Sequence, residues 1–321
     1  MPTRTDLRLR KHYSPIDDLR DAWTIRKAFA QEGVDIVHAH MLNAHVVVSF
    51  AVFRLKTRPL VVRSCYEAEG PLGWREGNLI KHFVDGMIVI SDHARNVAVG
   101  RGMPPDRVWK VDTAIDLARF DPDRGLGDSR AELGIAPDAF VVGIVARVQW
   151  RRRFDVFLEA IARAHRELPN VRAIIVGRGT HIEPIAIKPV HEMGLDDVVI
   201  FPGYQRGDDY VRVLAAMDVK AFLMPGTDGS CRAVREAMAM GLPVVAANRG
   251  MLPELVADGE RGLVIDDTPE NLADAIVELA HDRERRVAMG QKARAYALEH
   301  FGLEHQAAVV GDIYRNLTKR W

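Results

Sequence analysis

From residue 140 onward the chain alternates between two hydrophobic periods, and few architectures accommodate that rhythm. Short runs dominated by Val and Ile occur at Phe140–Ala146, Ala173–Gly177, Val198–Phe201, Val219–Met224, Val244–Ala247 and Leu263–Ile265. Each ends near Gly, Pro or a polar turn, which reads as a strand buried on both faces. Between them, residues 153–167, 181–193, 208–216, 232–240 and 269–280 carry helical spacing. Strands alternating with helices imply a parallel sheet with right-handed crossovers. Ligands on such sheets sit at the carboxyl ends of the strands. Arg147, Gly177, Gly203 and Asp228 all fall just after a run, on that edge.

The first half keeps the same rhythm with fewer units. Runs at Asp35–Ala39, Leu60–Ser64, Met87–Ile90 and Val108–Val111 predict four strands, with Leu7–His12 as a candidate fifth. The stretch 116–129, DLARFDPDRGLGDS, has the Asp, Pro and Gly of an interdomain linker. Residues 283–321 are helical in pattern and end in aromatic and basic residues.

Composition narrows the functional classes. Lys plus Arg (44) equals Asp plus Glu (44), so no global field favours nucleic acid. Two cysteines, Cys65 and Cys231, make no disulfide framework and fit a reducing compartment. The apolar stretch Val46–Phe53, broken by Ser49, is far too short to span a bilayer, and MPTRTDLRLRK lacks the apolar core of a signal peptide.

The most informative block is PGTDGSCRAVREAMAMGLPVVA, residues 225–246. Asp228-Gly229-Ser230 follows an apolar run and leads into helix formers. That places backbone N–H groups of about residues 229–232 at a helix N-terminus, where anions bind. Asp228 stands at the mouth of this anion site and Glu236 deeper in the helix. A ligand with both phosphate and hydroxyl groups suits the pair, and a nucleotide sugar is such a ligand. Asp228 also serves well as a helix N-cap. Arg232 is placed either to pair with Glu236 at i, i+4 or to meet an anion. Cys231 has an address that lowers a thiol pKa.

The same block resembles the retaining glycosyltransferases of the large glycogen-synthase-like family 4. Their two Glu are separated by seven residues and followed by Glu-Ala-Met-Ala and Gly-x-Pro-Val-Val. Here Asp228 replaces the first Glu, and Glu236-Ala237-Met238-Ala239-Met240-Gly241-Leu242-Pro243-Val244-Val245 fits closely. The resemblance runs through residues 141–265 and more loosely over most of the chain.

It implies an α/β fold of the GT-B class: two doubly wound, Rossmann-like parallel-sheet domains facing across a cleft. The implied bounds are 1–120 on the acceptor side, 121–290 for the nucleotide sugar, and 291–321 for a helix that crosses back. By resemblance, Arg147 and Arg152 contact the donor diphosphate, Glu236 holds the ribose hydroxyls, and Asp228 faces the transferred sugar. Gly177, Gly203, Tyr204, Gly229, Ser230, Cys231 and Arg232 complete the expected donor site. The resemblance implies a reaction that needs no cofactor and no metal.

This sequence departs from the family pattern at several points. Arg152 stands where the family has Lys, and Arg153 where it has Gly. Ser64-Cys65-Tyr66-Glu67 stands where it places a His near the sugar. His38-Ala39-His40 invites a metal reading without a third ligand of suitable spacing, and Asp121-Pro122-Asp123 reads as a turn. The family's opening strand and Gly-rich loop are not matched by the residues given, so the expectation is either a true start that lies upstream or a first domain that is shortened. The chain as given is expected to bind a nucleoside diphosphate and to transfer sugar poorly.

The expected activity is transfer of a sugar from a UDP- or GDP-sugar to a glycan or lipid-linked acceptor, as in cell-envelope polysaccharide or lipopolysaccharide synthesis. The expected setting is cytoplasmic, with peripheral contact at the inner face of a membrane. Two other readings stay open: a non-catalytic binding or scaffold homologue, and a sugar-nucleotide epimerase of the same fold.

Overall fold

The computed structural model describes residues 6–10, 14–67, 69–71 and 74–319, the side chains of Trp74, Arg75, Asp228 and Ser230 excepted. The chain forms two compact units, one of Met1–Asp112 with Gln306–Trp321 and one of Thr113–His305.

The first unit is built on four parallel strands: β1 (Ile36–Ala39), β2 (Leu60–Cys65), β3 (Gly86–Val89) and β4 (Val108–Lys110). They lie side by side in chain order. Residues 7–10 form no strand, and the remainder of the candidate run at Leu7–His12 lies outside the described residues. Ile313 and Leu317 of the helix Leu303–Thr318 bury against Leu60, Val62, Ile88 and Val111. Gly86 is small for that reason: a Cβ there would lie 2.7 Å from Leu317 Cδ1.

The second unit carries six parallel strands: β5 (Phe140–Val145), β6 (Val171–Val176), β7 (Val199–Gly203), β8 (Val219–Phe222), β9 (Val244–Ala247) and β10 (Gly262–Ile265). Their order is β10-β9-β8-β5-β6-β7. The chain therefore winds outward from β5 through β6 and β7, then returns to lay β8 against the other side of β5. The strands are largely apolar because helices cover both faces; Arg172 on β6 and Lys220 on β8 are the charged exceptions. Phe154, Phe157, Leu158 and Ile161 of the helix Phe154–Glu167 share one core with Leu272, Ile276 and Leu279 of the helix Pro269–His281.

Three expectations are corrected here. The stretch 116–129 is no linker: it lies inside the second unit, whose first residue is Thr113. Phe120 is only 2% exposed and sets its ring edge-on to Tyr210 at 5.9 Å. Asp121 and Arg124 tie this strap to Arg294 and Asp208. Its Pro, Gly and Asp composition reflects a capped turn at Pro122–Arg124; the single buried aromatic decides where it goes. Second, the helix expected over 232–240 begins four residues earlier, spanning Asp228–Ala239. Third, the helix expected over 181–193 is a π turn, Glu183–Ile187, continued by a short helix, Lys188–Glu192. Pro184 and Pro189 lack the N–H that a regular helix needs. Among the described residues no helix is long and apolar enough to cross a membrane.

Candidate functional site

Because β5 lies between β8 and β6, the loops leaving the carboxyl ends of β5 and β8 turn apart. A crevice opens at this topological switch point. A cavity of about 620 Å³ occupies it, within the usual range for small-molecule sites. Its walls come from the loops after β5 (Ala146, Arg147, Arg152), β6 (Gly177, Arg178) and β7 (Tyr204 to Gly207), from the helix Asp228–Ala239, and from the strap carrying Arg119 and Phe120.

The loops are laced together before any ligand arrives. Ala146 N–H donates to Val176 O (3.0 Å), Val148 N–H to Arg178 O (3.1 Å) and Gly177 N–H to Gly203 O (3.0 Å). A Cβ on Gly177 would lie 1.9 Å from Ala146 O, and one on Gly179 would lie 2.1 Å from Val148 O. Both positions need glycine because the neighbouring backbone occupies the side-chain space. Gly203 turns the chain at φ +79° but does not itself line the cavity.

The electrostatics of the cavity are lopsided. Among the described side chains, six arginines line it (119, 147, 152, 178, 206 and 232) against one carboxylate, Glu236. Arg232 donates from Nε to Glu236 Oε1 at 2.9 Å. The other five have no carboxylate within salt-bridge distance among the described residues. Elsewhere arginines pair readily, as Arg58 does with Asp85, Arg130 with Asp218 and Arg294 with Asp121. Arg152 is half-buried, and its Nε is buried without a hydrogen-bond partner. Burial first, then the nearby Arg151 and Arg147 charges, hold its pKa below the usual guanidinium value. Unpaired positive charge converging on a crevice is a standing field for an anion.

The N-terminus of the helix Asp228–Ala239 adds to that field. Cys231 N–H donates to Thr227 O (2.8 Å) at the start of this helix. Glu236 follows two turns along, about 12 Å by helix rise. It is 5% exposed, and its Oε2 accepts from Tyr210 Oη at 2.8 Å. Burial, and next the Glu236 charge, push the Tyr210 phenol well above its ordinary pKa. Lys220 on β8 is fully buried with no hydrogen-bond partner for Nζ among the described residues. Burial lowers its pKa to about 7 against an opposing pull from Glu236.

Of the residues singled out in the sequence, Arg147, Arg152, Gly177, Tyr204, Gly229, Arg232 and Glu236 meet around this one cavity. Cys231 does not: it is 0% exposed, and its Sγ packs where a Cβ on Gly226 would lie 2.7 Å away. The side chains of Asp228 and Ser230 lie outside the described residues. Arg119, Phe120, Arg178, Gln205, Arg206 and Tyr210 were missed. Arg178 sits inside the Gly177-Arg178-Gly179 turn, so the position after a strand was a usable signal for it. Tyr210 and Phe120 gave none, since only packing brings them here.

His38 and His40 of the first unit belong to a hydrogen-bonded cluster at the ends of β1 and β2. His38 joins Tyr314 Oη (2.6 Å) and Ser64 Oγ (2.8 Å), and His40 joins Tyr66 Oη (2.7 Å). The two imidazoles stack at 4.1 Å. Burial, then the His40 charge, lowers the His38 pKa to about 4. No group of three or more metal-ligating side chains occurs among the described residues.

A two-unit parallel α/β chain with a cationic crevice at a switch point is the GT-B class of fold. Residues 127–296 match the family described as Glycosyl transferases group 1, and residues 3–119 match Glycosyltransferase Family 4. The chain belongs to the group 1 glycosyltransferase family. It is 32% identical over 230 residues to a D-inositol 3-phosphate glycosyltransferase from Corynebacterium kroppenstedtii, covering 67% of this chain and 49% of that protein. It is 30% identical over 243 residues to the GDP-mannose-dependent alpha-(1-6)-phosphatidylinositol monomannoside mannosyltransferase of Mycobacterium tuberculosis, covering 72% and 62%. The chain spans about half the length of the first of these. The crystal structure of Anabaena Alr3699/HepE in complex with UDP superimposes with a TM-score of 0.79 at 23% identity, over 92% of this chain and 82% of that one. A Rickettsia africae glycosyltransferase gives 0.80 at 15% identity, over 100% and 85%. At these identities the structural likeness bears on the fold alone.

Proposed function

We propose that this chain binds a nucleoside-diphosphate sugar in the crevice of its second unit and transfers the sugar, with retention of configuration, to a glycan or lipid-linked acceptor. The observation that carries the reading is the convergence on one cavity of a helix N-terminus, a buried carboxylate and five arginines with no carboxylate partner among the described residues. A diphosphate answers Arg147 and Arg152, and vicinal ribose hydroxyls answer Glu236. Each Glu236 oxygen already accepts one bond and keeps a second lone pair for a hydroxyl. The relatives named for inositol phosphate and phosphatidylinositol acceptors support a polyol or lipid-linked acceptor, and a role in building the cell envelope is consistent with them.

The chemistry asked of the protein is electrostatic. As the glycosidic bond to the diphosphate breaks, negative charge grows on the leaving oxygen. Arg147, Arg152 and the first turn of the helix Asp228–Ala239 are already oriented to meet it. Asp228 opens that turn and is assigned to position the sugar ring. No protein nucleophile is required, because the leaving phosphate itself takes the acceptor proton on the same face.

Calorimetric titration with a nucleoside diphosphate and with the bare nucleoside tests this reading. Arg147→Ala and Arg152→Ala should each weaken the diphosphate at least tenfold and the nucleoside little, and the two losses should not add, because both touch one group. Equal losses for both ligands would remove the arginines from the phosphate site.

A further inference from the structure

The names of the relatives and of the solved structures mention both UDP and GDP-linked donors, so kinship leaves the base open. The lining of the crevice does not. We propose that the far end of the donor site reads guanine, through Arg178, Arg206 and Gln205. This rests on the nucleotide-sugar reading above and goes beyond it to the identity of the base.

The order of groups along the crevice locates the base. Phosphate belongs at the first turn of the helix Asp228–Ala239, and the ribose belongs at Glu236 about 12 Å further on. Glu236 is bonded to Tyr210, which lies on the helix Gly207–Ala215. The residues Tyr204 to Arg206 before that helix and its first residue, Gly207, therefore continue the wall past Glu236, and all four line the cavity. Among the described lining aromatics Tyr204 is the exposed one, at 51%, whereas Phe120 is 2% exposed.

Two guanidinium groups are held on that ring. Arg178 Cζ lies 4.5 Å and Arg206 Cζ 4.9 Å from its centroid. Arg206 also hydrogen-bonds the Tyr204 hydroxyl, which with its charge lowers the Tyr204 pKa. Neither arginine has a carboxylate partner among the described residues. An aromatic platform preorganises a guanidinium plane and leaves its N–H edge pointing outward. Gln205 is oriented as well: its amide nitrogen donates to Pro202 O, which leaves its carbonyl oxygen as the available acceptor.

The wall thus offers donor forks and one amide acceptor. Guanidinium has no acceptor, so a fork needs two adjacent acceptors on the base. Guanine supplies them as O6 and N7. Its N1–H and N2–H₂ form a donor pair on the next edge, which a single amide oxygen can meet. Uracil alternates acceptor, donor, acceptor, so a fork facing O4 sets its second N–H against N3–H. Adenine places an amine beside N7. Cytosine has adjacent acceptors, but its one polar edge would have to serve the fork and Gln205 together. A good bidentate match is worth roughly tenfold to a hundredfold in discrimination.

The test is calorimetry of the whole chain with GDP, UDP, ADP, CDP and inorganic pyrophosphate. GDP should bind at least tenfold more tightly than the other three nucleotides. Arg178→Ala and Arg206→Ala should erase most of that preference while pyrophosphate affinity changes less than twofold. Arg178→Lys, which keeps the charge and loses the fork, should erase it too. Both arginines are exposed and unbridged, so thermal melts of the variants should match wild type. UDP, ADP or CDP binding as tightly as GDP overturns the proposal, as does a preference that survives in both alanine variants. Failure of all four nucleotides to bind overturns the nucleotide-sugar reading beneath it.

Discussion

Replacing Glu236 with Ala should cost stability as well as ligand affinity, because this carboxylate is built into the second unit. Its loss leaves the desolvated Tyr210 hydroxyl without its 2.8 Å acceptor, which costs about 1–3 kcal/mol. The 2.9 Å bond to the exposed Arg232 adds only about 0.3–0.5 kcal/mol. Lys220 loses its opposing charge, but with a pKa near 7 it can shed its proton. The sum is about 1.5–3.5 kcal/mol, a fall in Tm of roughly 3–14 °C for a unit of this size. Scanning calorimetry of wild type, Glu236→Ala, Tyr210→Phe and the double variant measures it. With Tyr210 already Phe, Glu236→Ala should cost about 1–3 kcal/mol less. Glu236→Gln, which still accepts from Tyr210, should stay near wild-type stability while losing affinity for the nucleotide. Equal destabilisation by Glu236→Ala in both backgrounds would refute the idea that Tyr210 depends on this carboxylate.

Gly177→Ala should express poorly or melt far below wild type, since its Cβ would fall 1.9 Å from Ala146 O; Gly203→Ala, with open space at its Cβ, should lose about 1 kcal/mol through its positive φ, and circular dichroism melts compare the two. Lys220 titrates near 7 in the fold and at 10.5 when exposed, so the unfolded chain binds more protons between those values and its contribution to stability rises with pH across that window. Denaturant titrations should therefore show Lys220→Met more stable than wild type at pH 6.5, with the difference shrinking toward pH 10. Donor binding should persist in excess EDTA, because the arginines and the helix N-terminus already answer the phosphate charge; affinity that collapses in chelator and returns with Mg²⁺ would contradict this.

The ten strands were legible one by one, because a Val- and Ile-rich run ended by Gly or Pro has few other conformations open to it. So was the edge of the sheet that carries Arg147, Gly177 and Gly203, since the first residues after a parallel strand must emerge there. Local pattern could not give the order β10-β9-β8-β5-β6-β7, which depends on how strands far apart in the chain pair. That order opens the crevice between β5 and β8. Phe120 shows the limit most plainly: its neighbours Asp, Pro and Gly describe a loop correctly, but whether that loop links two units or docks on one depends on a pocket beside Tyr210 made by residues ninety positions later. The pairing of Tyr210 with Glu236 and the burial of Lys220 beneath them are likewise tertiary facts. The hydroxyl of Tyr210 and the amine of Lys220 carry no signal of this in the sequence, because only the packing of β8 and two helices takes the water away.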